Sequence, residues 1–177
     1  LKDADGKPIS GAKITVDLNG AKTYTTDKNG QVNVSTKGLA PKAYTAKVTF
    51  NGDTNYDKSN KDIKVTVKKA TPKLTAKKKT YKVTTKTKKY TIILKDNTGK
   101  AIKKAKVTLK VKGKTYKATT NSKGKATFKI TKLNKKGTFK ATITYKGNKY
   151  YNKLSKKAKI KVIVTFKTVS KGSKDKS

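Results

Sequence analysis

The stretch that decides the fold is AKVTLKVK at residues 105–112, in which apolar and polar residues alternate throughout. A period of two is typical of a strand with one buried and one solvated face. The alternation recurs at 125–130 (KATFKI), 139–146 (FKATITYK) and 160–164 (IKVIV), and in the first half at 44–50 (YTAKVTF). No segment keeps the i, i+3, i+4, i+7 apolar spacing of a helix. We therefore predict an all-β chain of antiparallel sheets, each with one wet face.

Turn sequences separate these alternating runs. Asn19-Gly20, Asn29-Gly30 and Asn51-Gly52 are Asn-Gly pairs, and Lys123-Gly124 stands at a comparable place in the second half. Asn-Gly between two alternating runs indicates a hairpin, because a type I′ turn needs positive φ at both central residues.

The composition excludes several classes of chemistry. Of 177 residues, 48 are lysine and nine are aspartate, which gives a net charge of +39, and the chain contains no Arg, Glu, His or Cys. A Ser-His-Asp or Cys-His nucleophile, a Cys/His zinc site and a thiol redox centre are therefore excluded. We predict that the protein is not an enzyme and binds no cofactor.

High charge and 32% hydrophobic residues are together typical of disordered chains. The alternation argues otherwise, because it places the lysines on the outward positions of strands, where solvated charge costs little and protects strand edges. No apolar run reaches the ~20 residues of a membrane-spanning helix, so we predict no membrane insertion. The chain shows neither a signal peptide nor an initiator Met, and we expect a fragment or processed product whose targeting sequence lay upstream.

The two halves of the chain repeat one another. LKDADGK at 1–7 matches LKDNTGK at 94–100, and YTAKVTFNG at 44–52 matches FKATITYKG at 139–147. IKVTV at 63–67 aligns with IKVIV at 160–164, an offset of 97 residues where the earlier segments give 93 to 95. A period near 95 residues fits an immunoglobulin-like β-sandwich.

We therefore predict tandem immunoglobulin-like antiparallel β-sandwiches. Residues 1–70 form a domain that lacks its first strands in this chain, residues 71–166 form a complete domain, and residues 167–177 form a disordered basic tail. Two explanations compete for the missing counterpart of 71–93. The chain starts at an arbitrary point inside the repeat, which we favour, or a neighbouring chain completes the first domain by supplying a strand.

The repeated motifs resemble a known family. Asp-x-x-Gly-Lys, Ala-Lys-Ile/Val-Thr, Thr-Thr-x-x-x-Gly and the strand end Tyr/Phe-x-Ala-x-Val/Ile-Thr-Tyr/Phe-x-Gly are similar to the bacterial Ig-like (Big-type) repeats of adhesin-like and invasin-type surface proteins. ATPKLTAKKK at 70–79, with the excess of Lys and Thr, is most similar to repeats in adhesin-like proteins of methanogenic archaea. The resemblance implies an extracellular protein at the cell surface or cell wall, with the repeats as stalk or wall-associated segments.

Two groups of residues are candidates for a metal site. Asp3-Ala4-Asp5-Gly6 begins like a calcium loop but continues without the required acids, so we predict a β-turn there. Asp53, Asp57 and Asp62 lie in the segment 51–62, which we interpret as a loop, and they are weak candidates for calcium, which prefers six to eight oxygen ligands. We favour a polar loop over a metal site.

Nine tyrosines are interspersed with the lysines. Tyr44, Tyr90 and Tyr145 fall on inward positions of predicted strands, so we assign them to the core. Tyr150 and Tyr151 fall in a loop and are the candidate ligand contacts. We do not expect nucleic-acid binding, because base and phosphate recognition favours the arginine fork, which the chain lacks.

These observations favour a non-enzymatic, adhesin-like surface segment that acts as stalk, spacer or cell-wall-associated module. Its expected partners are anionic cell-wall or surface glycan polymers, held by many weak and salt-sensitive contacts. The alternative is an adhesion module specific for a host or microbial polyanionic glycan. A basic nucleic-acid-binding protein ranks third.

Overall fold

The computed structural model describes residues 1–165, which divide after Lys69 into unit 1 (residues 1–69) and unit 2 (from Ala70). The predicted tail 167–177 lies outside the described residues. Strands follow one another through the whole described chain, which contains no helix. They are β1 (Lys13–Asp17), β2 (Ala21–Thr25), β3 (Lys42–Phe50), β4 (Ser59–Val67), β5 (Lys73–Thr75), β6 (Lys79–Lys82), β7 (Lys88–Lys95), β8 (Lys106–Val111), β9 (Lys114–Thr119), β10 (Lys125–Ile130), β11 (Gly137–Tyr145) and β12 (Leu154–Ile163).

Unit 1 has one antiparallel sheet in its described residues, in the order β2-β1-β3-β4. Its inward positions are apolar because the sequence alternates, and they form a small core around Ile14, Val16, Ala46 and Phe50. Ile9 and Ala12, which precede β1, also belong to this core.

Unit 2 is a sandwich of two sheets. A three-stranded sheet, β10-β7-β5, faces a five-stranded sheet, β6-β12-β11-β8-β9. All pairs are antiparallel except β6 with β12, which run parallel. Inward residues of both sheets, such as Ile92, Phe128, Leu109 and Ile143, are fully buried in one continuous core. The predicted all-β, immunoglobulin-like architecture is therefore confirmed.

The predicted hairpin at Asn19-Gly20 is also confirmed. Residues 18–20 join β1 to β2, and Asn19 (φ 54°) and Gly20 (φ 123°) both have positive φ. The equivalent hairpin of unit 2 uses Lys112 (φ 48°) and Gly113 (φ 73°) between β8 and β9. Lysine at a positive-φ position is unfavourable, so Lys112-Gly113 is not a typical turn dipeptide, and only the break in alternation between 105–112 and 114–120 indicated this turn.

In each unit a buried threonine holds the segment that leads into an equivalent strand, β1 in unit 1 and β8 in unit 2. The Thr26 hydroxyl accepts from the Ala12 amide (2.9 Å) and donates to the Ile9 carbonyl (2.7 Å). The Thr120 hydroxyl accepts from the Ala105 amide (2.8 Å) and donates to the Ile102 carbonyl (2.7 Å). The repeat therefore extends to individual hydrogen bonds.

Strand pairing corrects the sequence alignment of the last strand. Tyr44 on β3 lies opposite Val65, and its counterpart Phe139 on β11 lies opposite Ile160. The offset is therefore 95 residues here too, and the predicted offset of 97 is wrong. The identical Ile-Lys-Val triplets favoured the wrong alignment. Because the two offsets differ by two residues, both place the same side chains toward the core, and only the pairing with the neighbouring strand distinguishes them.

The assignment of tyrosines to the core holds for unit 2, where Tyr90 and Tyr145 are buried, while Tyr44 in unit 1 is half-buried. Within residues 1–165, no helix is long and apolar enough to cross a membrane.

Candidate functional site

Positive charge is concentrated in unit 2. Residues 1–69 contain 13 lysines and seven aspartates, whereas residues 70–165 contain 31 lysines and one aspartate, Asp96. Every lysine in the described chain is exposed except Lys88. On β12, for example, Lys157, Lys159 and Lys161 point outward between buried inward residues. Unit 2 therefore presents lysine on the outer faces of both its sheets.

Several of these lysines face each other directly across neighbouring strands. The three cross-strand lysine pairs are Lys73 with Lys95, Lys89 with Lys129, and Lys140 with Lys159. Like charges directly opposite each other destabilise a sheet, so each pair costs free energy in the isolated protein. An anion placed between the two ammonium groups would relieve that cost, which makes the pairs candidate sites for anionic ligands.

The sheet of unit 1 carries the opposite arrangement. Lys47 on β3 lies between Asp17 on β1 and Asp62 on β4, which gives a row of alternating charges. At the corresponding positions of unit 2, lysines 110 and 157 flank Thr142. Unit 1 thus balances charge where unit 2 accumulates it.

The predicted loop position of Asp62 is wrong, because β4 already begins at Ser59 and Asp62 lies within that strand. Asp53 uses Oδ1 to accept from the amides of Asn55 and Tyr56, both at 2.8 Å. Among the described residues, no three Asp side chains gather into a group that could hold a metal ion, so the candidates Asp53, Asp57 and Asp62 are not brought together.

The predicted turn at Asp3–Gly6 is confirmed. Asp3 Oδ1 accepts from the amides of Asp5 and Lys7, both at 2.9 Å, and the Gly6 amide donates to the Asp3 carbonyl at 3.0 Å. The carboxylate oxygen that calcium would require is occupied by backbone donors, in agreement with an Asx-type turn.

Tyr150 and Tyr151 lie where the chain enters unit 2. The Ala70 amide donates to the Tyr150 carbonyl (3.0 Å), and the Asn152 amide donates to the Ala70 carbonyl (2.8 Å). Asn148 Oδ1 holds the loop by accepting from the amides of both tyrosines. The loop 148–152 therefore fixes the incoming strand through backbone groups.

The two tyrosine side chains differ in environment. Tyr150 is 40% exposed, and Lys149 Nζ lies 4.9 Å from its ring centre. Tyr151 is half-buried, and burial together with the nearby Asp96 carboxylate raises the pKa of its hydroxyl. The Asp96 pKa is lowered chiefly by the hydrogen bond from the Thr98 hydroxyl. Tyr150 is consequently the member of the pair whose ring is available to a ligand.

Lys88 is a feature that the sequence analysis missed. It occupies an inward position of β7, is 1% exposed, and donates from Nζ to the Thr85 carbonyl at 2.6 Å. Burial lowers the pKa of its ammonium group. The alternation Lys88, Tyr90, Ile92, Leu94 indicated this inward position, but a lysine there contradicts the rule that charges stay outside.

The two-sheet sandwich of unit 2 belongs to the immunoglobulin-like class of folds. A model of the SpaA prealbumin-like fold domain matches residues 2–82, less than half of the chain. No curated protein sequence matches the chain.

Solved structures with this fold include invasin, described as a bacterial integrin-binding protein, with a TM-score of 0.52 and 18% sequence identity. The match covers 93% of this chain and 34% of the invasin chain. A tetra-tandem repeat from the extending region of a large adhesion protein matches at TM-score 0.47 and 13% identity, over 88% of this chain and 43% of that one. The chain therefore spans about a third of invasin, and at this identity the invasin match supports the fold alone.

Proposed function

We propose that this chain is a non-enzymatic segment of an adhesin-like protein at the cell surface or cell wall, in which immunoglobulin-like repeats act as a spacer. Residues 71–166 are one complete domain and residues 1–70 another that lacks its first strands here. The source we favour is a methanogenic archaeon, and the repeats are of the Big type. These assignments rest on the sequence motifs, and the fold shared with invasin supports only the immunoglobulin-like part of the proposal.

The observation that carries the proposal is the set of three cross-strand lysine pairs on unit 2. A soluble spacer needs charge, but it gains nothing from placing like charges opposite each other. A surface that rests against an anionic polymer does gain, because a phosphate, sulfate or carboxylate group that lies between two paired ammonium groups attracts both and offsets their repulsion. The partner is accordingly an anionic wall or surface glycan polymer, bound through many weak contacts that salt screens.

The test compares two variants that lose equal charge. In the first, the six lysines of the cross-strand pairs are replaced by Gln. In the second, six exposed lysines of unit 1 are replaced by Gln, at positions 22, 28, 37, 58, 61 and 64. Binding to isolated cell walls and to dextran sulfate is measured between low and molar salt.

We expect the unit 2 variant to bind more weakly and with a shallower salt dependence, and the unit 1 variant to differ little from the original chain. Equal losses in both variants would show that total charge matters and the pairs do not. Binding that persists in molar salt would contradict an electrostatic mechanism.

The exposed ring of Tyr150 favours one second candidate, specific adhesion to a polyanionic glycan. An aromatic face beside Lys149 can stack on a sugar ring while the ammonium group binds its acid. A glycan array at physiological ionic strength separates the two, because Tyr150→Ala should abolish selectivity among equally charged glycans if the adhesion is specific. If binding ranks by charge alone, the spacer function stands.

A further inference from the structure

A small pocket lies in unit 2 where β8 begins and β11 ends. Its volume is about 240 Å³, below the about 300–1,000 Å³ of sites for drug-sized ligands, so it suits one small group. The apolar residues that line it, Ile102, Ala105 and Tyr145, are buried. Asp96, the one aspartate among residues 70–165, does not line it. We call it the lysine pocket, because its charged lining residues are Lys103, Lys104, Lys106 and Lys146.

Unit 1 has an equivalent pocket without the excess of positive charge. It is lined by Gly11, Ala12, Lys13, Thr15, Thr23, Phe50, Asn51, Gly52 and Asp53. Hydrogen bonds establish the correspondence. The Gly11 amide donates to the Thr26 carbonyl at 2.9 Å, and the Lys104 amide donates to its counterpart, the Thr120 carbonyl, at 2.9 Å. One lysine and one aspartate balance each other in unit 1, whereas unit 2 sets four lysines around the same place.

Lys104 has a backbone conformation that favours glycine. Its φ is 54°, and the equivalent Gly11 has φ 73°. A residue with a Cβ is unfavourable there, so unit 2 keeps this lysine at a cost in backbone strain. A second lysine with positive φ, Lys112, places Nζ 5.4 Å from the ring centre of Phe139, far from the pocket. Strain that is kept at a pocket-lining residue indicates that its side chain is used.

Asn148 adds a neutral donor to the lysine pocket. Its Oδ1 accepts from the amides of Tyr150 (2.8 Å) and Tyr151 (2.9 Å), so the polar group that is left for a ligand is Nδ2, a donor. Asp53 holds the equivalent loop of unit 1 in the same way, with Oδ1 accepting from two amides at 2.8 Å. Its second carboxylate oxygen is a charged acceptor, which repels an anion.

We propose that the lysine pocket binds one phosphate group, either as a phosphate monoester on a sugar or as the free ion. A phosphate monoester carries about −1.5 to −2 charges at pH 7 and three strong acceptor oxygens, whereas a carboxylate or a sulfate ester carries a single charge. Four ammonium groups therefore favour phosphate over the other two. Lysine binds phosphate as a point charge, so this site does not need the arginine fork.

The lysine pocket is a different site from the cross-strand lysine pairs that carry the proposed function. None of the six paired lysines lines it. The phosphate site therefore goes beyond the proposed function, and either can fail alone. The unit 2 variant with Gln at the six paired positions keeps all four pocket lysines and should still bind phosphate in a saturable way.

The experiment titrates the full chain with glucose 6-phosphate, inorganic phosphate and glucose 6-sulfate at constant ionic strength. The pH is about 7.5, above the second phosphate pKa of about 6. Binding is followed through the backbone amide chemical shifts of residues 102–106 and 145–148. The corresponding residues of unit 1, 9–13 and 50–53, serve as an internal reference.

Three variants test the named residues. Lys104→Gly gives unit 2 the residue that unit 1 has, and Asn148→Asp gives it the counterpart of Asp53. The matched control is Lys112→Gly, which removes the same charge from the same backbone conformation at the other end of β8, about 20 Å away. Thermal denaturation of each variant shows whether unit 2 remains folded.

We expect saturable shifts at the pocket with both phosphate probes and weaker binding of glucose 6-sulfate. Lys104→Gly should weaken phosphate binding about fivefold while the melting temperature stays the same or rises, because the strain is relieved. Asn148→Asp should weaken binding by about tenfold or more, since it adds a negative charge at the site. Lys112→Gly should change it by less than about twofold, because its charge lies beyond the Debye length of about 10 Å.

Equal losses in Lys104→Gly and Lys112→Gly would overturn the proposal, since total charge and not the pocket would then govern binding. Shifts of the same size in unit 1, or shifts that do not saturate, would do so too. If glucose 6-sulfate binds as tightly as glucose 6-phosphate, the assignment to phosphate is wrong. Of the two phosphate probes, the one that binds more tightly shows whether the phosphate is carried by a sugar or is free.

Discussion

Units 1 and 2 build the same four-stranded arrangement from repeated sequence, β2-β1-β3-β4 in one and β9-β8-β11-β12 in the other, yet they bury it to different depths. In unit 2 the three-stranded sheet covers the inner face and the inward residues are almost wholly buried. In unit 1 Ile63 remains largely exposed. The alternating pattern thus fixes which side chains point inward, but burial depends on what covers them.

The units differ in charge as well as in burial. Unit 1 sets Asp17 and Asp62 on either side of Lys47, whereas unit 2 carries lysines at the two flanking positions. A repeat can therefore keep its core and change its surface, because outward positions of a strand tolerate any solvated residue. Under the proposed function, this difference assigns the contact with an anionic polymer to unit 2.

The largest expected effect compares equivalent core positions. Ile160→Ala should destabilise unit 2 by about 2–5 kcal/mol, because it leaves a cavity among fully buried side chains. Val65→Ala should destabilise unit 1 by less than about 1 kcal/mol, because the Val65 side chain is only half-buried and less apolar surface is removed from water when it folds. Amide hydrogen exchange followed at increasing urea concentrations gives the free energy of unfolding of each unit separately, and so measures both changes. Equal losses would mean that the inner face of unit 1 is covered after all.

A second difference appears at alkaline pH. Burial and the neighbouring Tyr90 raise the pKa of Tyr81 from 10.0 to about 12. The folded state therefore holds this proton more tightly than the unfolded state does. The resulting stability is complete below pH 10 and is lost as pH rises through about 12, up to about 2.7 kcal/mol for a shift of two units. Tyr81→Phe should reduce the loss in the free energy of unfolding of unit 2 between pH 10 and about 12. An unchanged loss would mean that other titrating groups cause it.

A third test probes what the units share. Thr120→Val and Thr26→Val should each cost about 1–3 kcal/mol, because each leaves a buried amide and a buried carbonyl without the hydroxyl that satisfies them. Unlike the core substitution, this pair should give similar losses in both units. Thr→Ser at either position keeps the hydroxyl and serves as the control. A loss confined to unit 2 would show that the loops of unit 1 are not ordered in the same way.

The smallest effect concerns one hydroxyl that only unit 1 has at this position of the repeat. Tyr44 donates from its hydroxyl to the Ala40 carbonyl at 2.6 Å, while Phe139 stands at the equivalent place in unit 2. Tyr44→Phe should cost unit 1 about 0.5–1.5 kcal/mol, the usual net value of a hydrogen bond. Thermal denaturation of the original chain and of the Tyr44→Phe variant measures this difference in stability. No difference would mean that water replaces the hydrogen bond from the Tyr44 hydroxyl to the Ala40 carbonyl.

Much of the fold could be predicted from the sequence. Alternation located the strands of unit 2 to within a few residues, and Asn19-Gly20 specified its turn because that dipeptide tolerates positive φ. The Lys112-Gly113 hairpin could not be found in this way, since lysine has no preference for that conformation. The register of β4 was missed because local identity between IKVTV and IKVIV outweighed a constraint that only pairing with β3 imposes.

The candidate site was less predictable. The sequence located the lysines on outward positions, but the lysine pairs depend on cross-strand register, which no local pattern contains. Asp62 was placed in a loop because the start of β4 is polar and lacks apolar alternation. Tyr150 and Tyr151 were singled out for their aromatic side chains, yet the structure uses the backbone of their loop to hold Ala70.

The parallel pairing at the entrance and exit of unit 2 has a mechanical consequence. Ala70 pairs in parallel with Tyr151, and β6 pairs in parallel with β12. When a chain is pulled from its two ends, a parallel pair such as β6 with β12 slides along its length, so its hydrogen bonds are loaded together in shear and do not open one at a time. Stretching single molecules should therefore reveal a high rupture force for unit 2, and Val83→Pro, which removes the amide that donates to the Ile163 carbonyl (2.8 Å), should lower it. The proposed spacer function requires such resistance.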